Sequence, residues 1–113
     1  MVSRYVPDAG DIVMMDFDPQ VGREQAKRRP ALVLTDQRYN RASGLAVVCP
    51  LTSKRKAHPF SLPIAVGEVE GAVLVDQLKS LDWEMRRASF HSRAEPALVS
   101  KVRQYIAALL AIR

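Results

Sequence analysis

The sequence has one cysteine, few aromatic residues and no apolar run long enough to cross a membrane. Because Cys49 is the only cysteine, an intramolecular disulfide and a cysteine-based zinc site are excluded. Its place inside an apolar run predicts a small buried side chain. Aromatic residues make up 6% of the chain, so stacking on aromatic side chains cannot be its main means of reading nucleic-acid bases. The first residues lack the apolar core of a signal peptide, and we expect a cytoplasmic protein.

Acidic residues are scarce between residues 20 and 60, where nine Lys and Arg accompany two Asp and Glu. The local charge is therefore +7 in a chain whose net charge is +5, and the remaining residues sum to −2. Such an asymmetry is the electrostatic pattern of nucleic-acid binding. A solvated basic surface without a partner is the alternative.

Short apolar runs at regular intervals predict a small β-barrel or β-sandwich within one domain, residues 1–113. In one run, Phe60, Leu62, Ile64 and Val66 alternate with other residues, which predicts a strand with one face toward the core. Pro63 predicts an edge strand, because proline cannot donate to a ladder. The predicted strands are residues 12–17, 31–34, 45–51, 60–66 and 71–75, with a weaker run at 88–90.

The last twenty residues predict a helix that begins near Glu95-Pro96. Proline suits the first helical turn, where its missing N–H would have no partner anyway. Residues 106–112 are apolar on every side, so we expect the barrel and a second subunit to cover this end. The residues at helical spacing are Leu98, Val102, Tyr105, Ile106, Leu109 and Leu110.

Two cationic segments each follow an apolar run. The first, residues 22–30, holds four cations and the carboxylate of Glu24, and the second, residues 50–56, ends in Lys54-Arg55-Lys56. Charged connections on a rigid β scaffold are common sites of recognition and catalysis. A polyanion is the natural partner of both segments.

The ordered motifs of the chain resemble those of the MazF/PemK-type toxin family, from Met1 to the C-terminal helix. The resemblance implies a mainly β (α+β) fold, a small SH3-like barrel with a C-terminal α-helix, working as a homodimer. One departure is Lys27-Arg28, where many relatives carry glycine or a small polar residue, so a preference for one RNA sequence cannot be transferred. The motifs are Gly10-Asp11-Ile12, Asp18-Pro19, Gly22-x-Glu24-Gln25, Arg29-Pro30-Ala31-Leu32-Val33-Leu34, Pro50-Leu51-Thr52-Ser53 and Asp76-Gln77.

The same resemblance implies an activity. It implies the toxin of a type II toxin–antitoxin system, a sequence-specific, ribosome-independent endoribonuclease that cuts single-stranded mRNA to 2′,3′-cyclic phosphate and 5′-hydroxyl ends without a metal or cofactor. It also implies a cognate antitoxin with an acidic, flexible tail. Carried over by motif, the catalytic residues are Arg29, Thr52 and Glu24. The expected RNA-binding residues are Gln25, Lys27, Arg28, Ser53, Lys54, Arg55, Lys56, Asp76 and Gln77.

The chemistry of RNA cleavage fits these residue types. Arg29 offers a planar guanidinium that can bind two phosphate oxygens at once, and Thr52 adds a hydroxyl donor. Glu24 is the better proton acceptor, because a guanidinium with a pKa above about 12 rarely loses its proton. Each residue also has a simpler interpretation: Arg29 as a solvated charge, Thr52 as an ordinary strand residue and Glu24 as a surface ion-pair partner.

For three further residues, two histidines and a tryptophan, the sequence gives weaker evidence of a role in catalysis or RNA binding. His58 follows the second basic segment and could approach the site, whereas His91 is expected on the surface of a strand. Two isolated histidines do not make a metal site. Trp83, near Leu78 and Leu81, predicts packing in the core or at a dimer interface rather than base stacking.

Two other functions remain possible at this point. A small barrel could bind single-stranded nucleic acid without cutting it, with much the same basic segments. A CcdB-like toxin that targets gyrase would instead use the C-terminal helix for contact. The helix end is so apolar that packing is the better interpretation.

Overall fold

Seven antiparallel strands and two helices make up the parts of the chain that the computed structural model describes, residues 4–17, 28–53, 60–66 and 69–113. A single 3-10 turn, Val75–Gln77, joins two of the strands. The strands are β1 (Asp11–Asp16), β2 (Arg28–Val33), β3 (Leu45–Thr52), β4 (Ser61–Val66), β5 (Val69–Leu74), β6 (Lys79–Asp82) and β7 (Ser89–Arg93), and the helices are α1 (Gln37–Ser43) and α2 (Pro96–Leu109).

The strands form one curled sheet in the order β4-β5-β3-β2-β1-β7. The long strand β3 pairs with β2 along one edge. Along its other edge it pairs first with β6, at Leu45 to Val48, and then with β5, at Leu51 and Thr52. Because β3 changes partner in this way, β5 and β4 turn away from β6 and the sheet curls. The prediction of a mainly β barrel with a C-terminal helix is confirmed.

Two apolar cores lie on opposite faces of this sheet. Alternation along β1 separates them, since Ile12 belongs to the first core and Val13 and Met15 to the second. The first core, which α2 covers with Val99 and Val102, contains Ile12, Leu32, Leu34, Cys49, Leu51, Leu62, Ile64, Val73, Val75 and Ala94. The second core contains Val6, Val13, Met15, Ala31, Val33, Ala46, Val48 and Trp83.

Several local predictions are confirmed. The strand with Pro63 is β4, which ends the sheet order, and Pro63 is exposed while Leu62 and Ile64 are buried. Cys49 is fully buried in the first core. Trp83 packs in the second core, and its indole Nε1 donates to the carbonyl of Asn40 at 2.9 Å. Packing therefore explains Trp83, and base stacking does not.

Helix α1 is an element that the apolar pattern did not predict. Asp36 caps its start by accepting from the backbone N–H of Tyr39, and Gly44 ends it with a φ of 76°. Asn40 is fully buried, and its side-chain amide donates to the carbonyls of Pro7 and Thr35. These bonds fix α1 against the segment that precedes β1.

The end of α2 is less covered than expected. The helix begins at Pro96 as predicted, and Val99 and Val102 are buried against the sheet. Beyond it, Leu110 and Ile112 are 55% and 60% exposed, so the barrel of the same chain does not cover them. Within the described residues, neither helix has the length and apolar character that crossing a membrane requires.

Candidate active site

Arg29 and Thr52 lie at the same end of two neighbouring strands and on the same face of the sheet. In the β2–β3 register Ala31 faces Pro50, and the same register continued by two residues brings Arg29 opposite Thr52. Arg29 also pairs with Met15 of the second core, and Thr52 continues the alternation of Ala46 and Val48. Both side chains therefore extend from the rim of the second core.

Gly71 allows the close approach of β5 to the end of β3. Its backbone φ is 150°, a value that residues with a side chain rarely adopt. A Cβ added to Gly71 would lie 1.9 Å from the carbonyl oxygen of Thr52. The neighbouring residue Ala72 pairs with Thr52 in the ladder. A residue without a side chain at position 71 is thus what lets β5 hold Thr52 in place.

Asp76 and Gln77 sit on the 3-10 turn beside the middle of β3, and both are exposed. The turn contacts the first core, where the Cys49 thiol lies 3.8 Å from the carbonyl oxygen of Val75. Burial raises the pKa of the Cys49 thiol to about 12, and the Asp76 carboxylate adds to the effect. Since a nucleophilic cysteine needs to be a thiolate, Cys49 supports the turn and does not act as a nucleophile near neutral pH.

Lys79 adds a cation to the face that carries Arg29 and Thr52. It pairs directly with Val48 of the second core, and its Nζ lies 5.9 Å from the centre of the Phe17 ring. Sequence reasoning missed Lys79. The sequence shows that Lys79 follows Gln77 by two residues. Only the β3–β6 register shows that Lys79 lies on the same face of the sheet as Arg29 and Thr52.

Asp16 is surrounded by arginines at the end of β1. Arg87 donates to both of its carboxylate oxygens, from Nε at 2.8 Å and from Nη2 at 3.3 Å, and Arg28 donates from Nη1 at 3.2 Å. The Nη2 of Arg28 also donates to the carbonyl of Arg87 at 2.6 Å and to Ser89 Oγ at 2.9 Å. We call Asp16, Arg28, Arg87 and Ser89 the Asp16 cluster. Hydrogen bonds from Arg87, then those from Arg28, hold the pKa of Asp16 below its usual value.

Arg29, directly after Arg28, is engaged differently. Its side chain is exposed and makes no hydrogen bond or ion pair within the described ranges. A guanidinium in this position keeps its donors for an external acceptor, and phosphate is the acceptor whose geometry it matches.

Sequence comparison places these residues in a family. A family model described as "PemK-like, MazF-like toxin of type II toxin-antitoxin system" matches residues 8–110. The chain belongs to this toxin family. Its curated relatives include the endoribonuclease toxin MazF of Escherichia coli K12, 40% identical over 110 residues that cover 97% of this chain and 99% of the relative. The E. coli toxin ChpB, also an endoribonuclease, is 39% identical over 94 residues, 78% of this chain and 80% of ChpB.

Solved structures of the PemK-like, MazF-like family agree with the fold. A MazE–MazF crystal structure from Deinococcus radiodurans matches with a TM-score of 0.91 and 43% identity, covering 97% of this chain and all of that one. The match therefore includes both strands that carry Arg29 and Thr52 and the helix α2. As a member of the family, the chain has its expected fold, and the resemblance read from the motifs is confirmed.

Not every predicted site residue of this family member can be placed. Arg29, Thr52 and Ser53 lie at one end of β2 and β3, Asp76 and Gln77 lie beside β3, and Arg28 lies in the Asp16 cluster. His91 lies half-buried on β7, where its Nδ1 is 2.9 Å from Ser92 Oγ. The remaining predicted residues, Glu24, Gln25, Lys27, Lys54, Arg55, Lys56 and His58, lie outside the described residues.

Proposed function

We propose that this chain is the toxin of a type II toxin–antitoxin system and cuts single-stranded mRNA at specific sequences, independently of the ribosome. The observation that carries the proposal is the placement of Arg29 and Thr52 on one face at one end of β2 and β3, in a member of a family with endoribonuclease relatives. Asp76 and Gln77 lie beside the middle of β3, Lys79 pairs with Val48 of the same strand, and these residues offer contacts to bases and phosphates.

The reaction uses the RNA's own 2′-hydroxyl. Its oxygen loses a proton and attacks the adjacent phosphorus, the bond to the 5′-oxygen breaks, and the departing 5′-oxygen takes up a proton from solvent. A 2′,3′-cyclic phosphate and a 5′-hydroxyl result. Negative charge grows on the phosphorane oxygens, and the exposed guanidinium of Arg29 supplies the donors that stabilise it. The hydroxyl of Thr52 is a second donor to the same phosphate. Each donor of this kind contributes on the order of 100- to 1,000-fold in rate.

Proton transfer and partners complete the proposal. Glu24 accepts the 2′-hydroxyl proton, a role based on its family motif and its residue type. The chain works as a cytoplasmic homodimer without metal or cofactor, as the family resemblance implies. Its cognate antitoxin has an acidic, flexible tail that occupies the basic RNA site. The MazE–MazF structure from D. radiodurans, a complex named for both partners, supports this pairing.

The test is RNA cleavage by the purified protein in the presence of EDTA. A long transcript of defined sequence is incubated with wild type, with Arg29→Ala and with Thr52→Ala, and the cut ends are mapped. We expect discrete cuts with 2′,3′-cyclic phosphate ends for wild type and none for either variant. Thermal unfolding of the variants should match wild type, because Arg29 is exposed and Thr52 lies at a strand end.

Other outcomes identify the alternatives. Intact RNA with salt-dependent binding would indicate a barrel that binds nucleic acid without cutting it. Intact RNA together with inhibition of gyrase would indicate a CcdB-like toxin. Full cleavage by Arg29→Ala would contradict the assignment of the catalytic arginine.

A further inference from the structure

The Asp16 cluster joins three separate parts of the chain at one edge of the candidate active site. Asp16 ends β1, Arg28 begins β2 directly opposite it in the register, and Arg87 belongs to the turn between β6 and β7. The backbone adds to the connection, because the N–H of Asp16 donates to the carbonyl of Arg86 at 2.9 Å. The two ends of the connection that carries Glu24 are therefore held together by Asp16 and Arg28.

We propose that Asp16 and Arg28 are positioning residues for RNA cleavage: they fix the first residues of β2 so that Arg29 is held where the scissile phosphate binds. The proposal rests on the proposed function and gives Arg28 a different role from the RNA contact expected from its charge. It also makes Arg87 a part of the site's support, although it lies far from both motifs in the sequence.

The geometry favours positioning over phosphate contact for Arg28. Successive residues of a strand point to opposite faces, so the Arg28 side chain leaves β2 on the face opposite to that of Arg29. Its guanidinium donates to three acceptors within the cluster, Asp16 Oδ1, the carbonyl of Arg87 and Ser89 Oγ. Binding a phosphate instead would require breaking these bonds.

Rigid placement of Arg29 matters because its bidentate bonds to phosphate depend on angle and distance. A displacement of about 1 Å in a catalytic group can cost on the order of 100-fold in rate. Arg28 directly precedes Arg29 in the backbone. A shift of Arg28 therefore reaches Arg29 through a single peptide bond. Loss of the cluster should therefore reduce the rate of the chemical step more than the affinity for RNA.

The two possible roles of Arg28 predict opposite results for Asp16→Asn. This variant removes one negative charge and weakens the bonds that hold Arg28 and Arg87, so the cluster as a whole would attract RNA more strongly. If Arg28 contacts phosphate, Asp16→Asn should bind RNA more tightly and cut at least as fast. If Arg28 positions Arg29, the same variant should cut more slowly despite its more favourable charge.

The experiment is single-turnover cleavage of the defined transcript by Asp16→Asn, Arg28→Gln and Arg28→Lys. For each variant we measure the rate at saturating enzyme, the enzyme concentration at half-maximal rate, and the dependence of the latter on salt. We expect Asp16→Asn and Arg28→Gln to lose on the order of 10- to 100-fold in rate at saturation. The half-saturating concentration should change by about twofold at most, and the salt dependence should stay that of wild type.

Arg28→Lys separates charge from geometry. Lysine keeps the positive charge but cannot reproduce the planar donors that reach three acceptors. We expect a reduced rate at saturation for Arg28→Lys, between wild type and Arg28→Gln. The matched control is Arg38→Gln, which removes an exposed arginine from α1 and should behave as wild type.

Specific outcomes would overturn the proposal. An unchanged rate at saturation in Asp16→Asn would contradict the positioning role. A salt slope reduced by about one in Arg28→Gln would show that Arg28 contacts phosphate instead. Wild type that cuts no RNA would contradict the proposed function. The cluster is then tested alone by amide hydrogen exchange, which should be faster at Arg29, Ala31, Leu32 and Val33 in Asp16→Asn, and unchanged exchange would contradict the proposed role of the cluster. Ser89→Ala, which removes a single acceptor, replaces any variant that fails to fold.

Discussion

The two arginines that open β2 are adjacent in sequence and opposite in their surroundings. Arg28 is held by a carboxylate, a carbonyl and a hydroxyl on one face of the strand. Arg29, one residue later, is exposed on the other face at the rim of the second core. Charge alone would treat them as equal members of one basic segment. The difference shows that a basic segment can contain one arginine whose donors are used within the fold and one whose donors face solvent.

The two faces of the sheet also differ in how far their arginines and lysines are paired with carboxylates. The Asp16 cluster contains two arginines and one carboxylate, so its internal pairs neutralise part of its charge. On the other face, Arg29 and Lys79 have no such carboxylate partner within the described residues. Among the described residues, the positive charge on the face with Arg29 is therefore less neutralised than that of the Asp16 cluster.

The largest expected effect comes from replacing each arginine by lysine. Arg29→Lys keeps the charge but loses the bidentate donors, and we expect the cleavage rate to fall on the order of 100-fold or more. Arg28→Lys should cost less, because Arg28 acts through Arg29. Single-turnover rates measured side by side check this order. An equal loss in both variants would remove the distinction between a reacting and a supporting arginine.

The placement of Arg29 and Thr52 at the ends of two strands could be predicted from sequence, because each residue lies in a recognisable motif next to an apolar run. Arg-Pro precedes an apolar run, and Pro-Leu-Thr-Ser ends one, so both positions follow from short-range patterns. The Asp16 cluster could not be predicted. Asp16 and Arg87 are 71 residues apart in the sequence. Their contact depends on the pairing of β7 with β1 and on the positive φ of Arg87, 54°.

A second expected effect concerns the support of Thr52. Gly71→Ala places a methyl group on the carbonyl of Thr52, so either β5 or the end of β3 must move. We expect a loss of about 3 kcal/mol in the free energy of unfolding, together with slower cleavage. Urea unfolding and the cleavage assay measure the two effects.

Gly44→Ala is the control for Gly71→Ala. Gly44 also has a positive φ, of 76°, but a Cβ there would meet no atom within 4 Å. Its substitution carries the backbone strain alone, about 1 kcal/mol, and should leave cleavage unchanged. Equal destabilisation by the two substitutions would show that strain, and not the overlap with Thr52, accounts for the need for Gly71.

Strands and helices differed in how well their residues could be predicted. Alternation identified the core-facing side of β4 and the edge position of Pro63, since both follow from local rules. Helix α1 is short and polar, with Asn40 as its only buried residue, so no apolar stripe marks it. Strand β6 has no buried residue, and only its pairing with β3 defines it. Neither element therefore has the apolar pattern on which the sequence-based prediction depended.

The smallest expected effect is the pH dependence of the Asp16 cluster. Hydrogen bonds from Arg87 and then from Arg28 hold the pKa of Asp16 below its usual 3.8. The folded protein therefore releases this proton more readily than the unfolded chain, and the cluster's contribution to stability is present above about pH 3.8 and lost as pH falls through the lowered pKa. We expect the urea midpoints of wild type and Asp16→Asn to differ by a constant amount between about pH 5 and 7, and to converge below about pH 4. Because the cluster is partly exposed, salt at about 0.5 M should narrow the same gap. A gap that persists unchanged in acid and in salt would contradict this account, because it would show that the charge of Asp16 is not what stabilises the cluster.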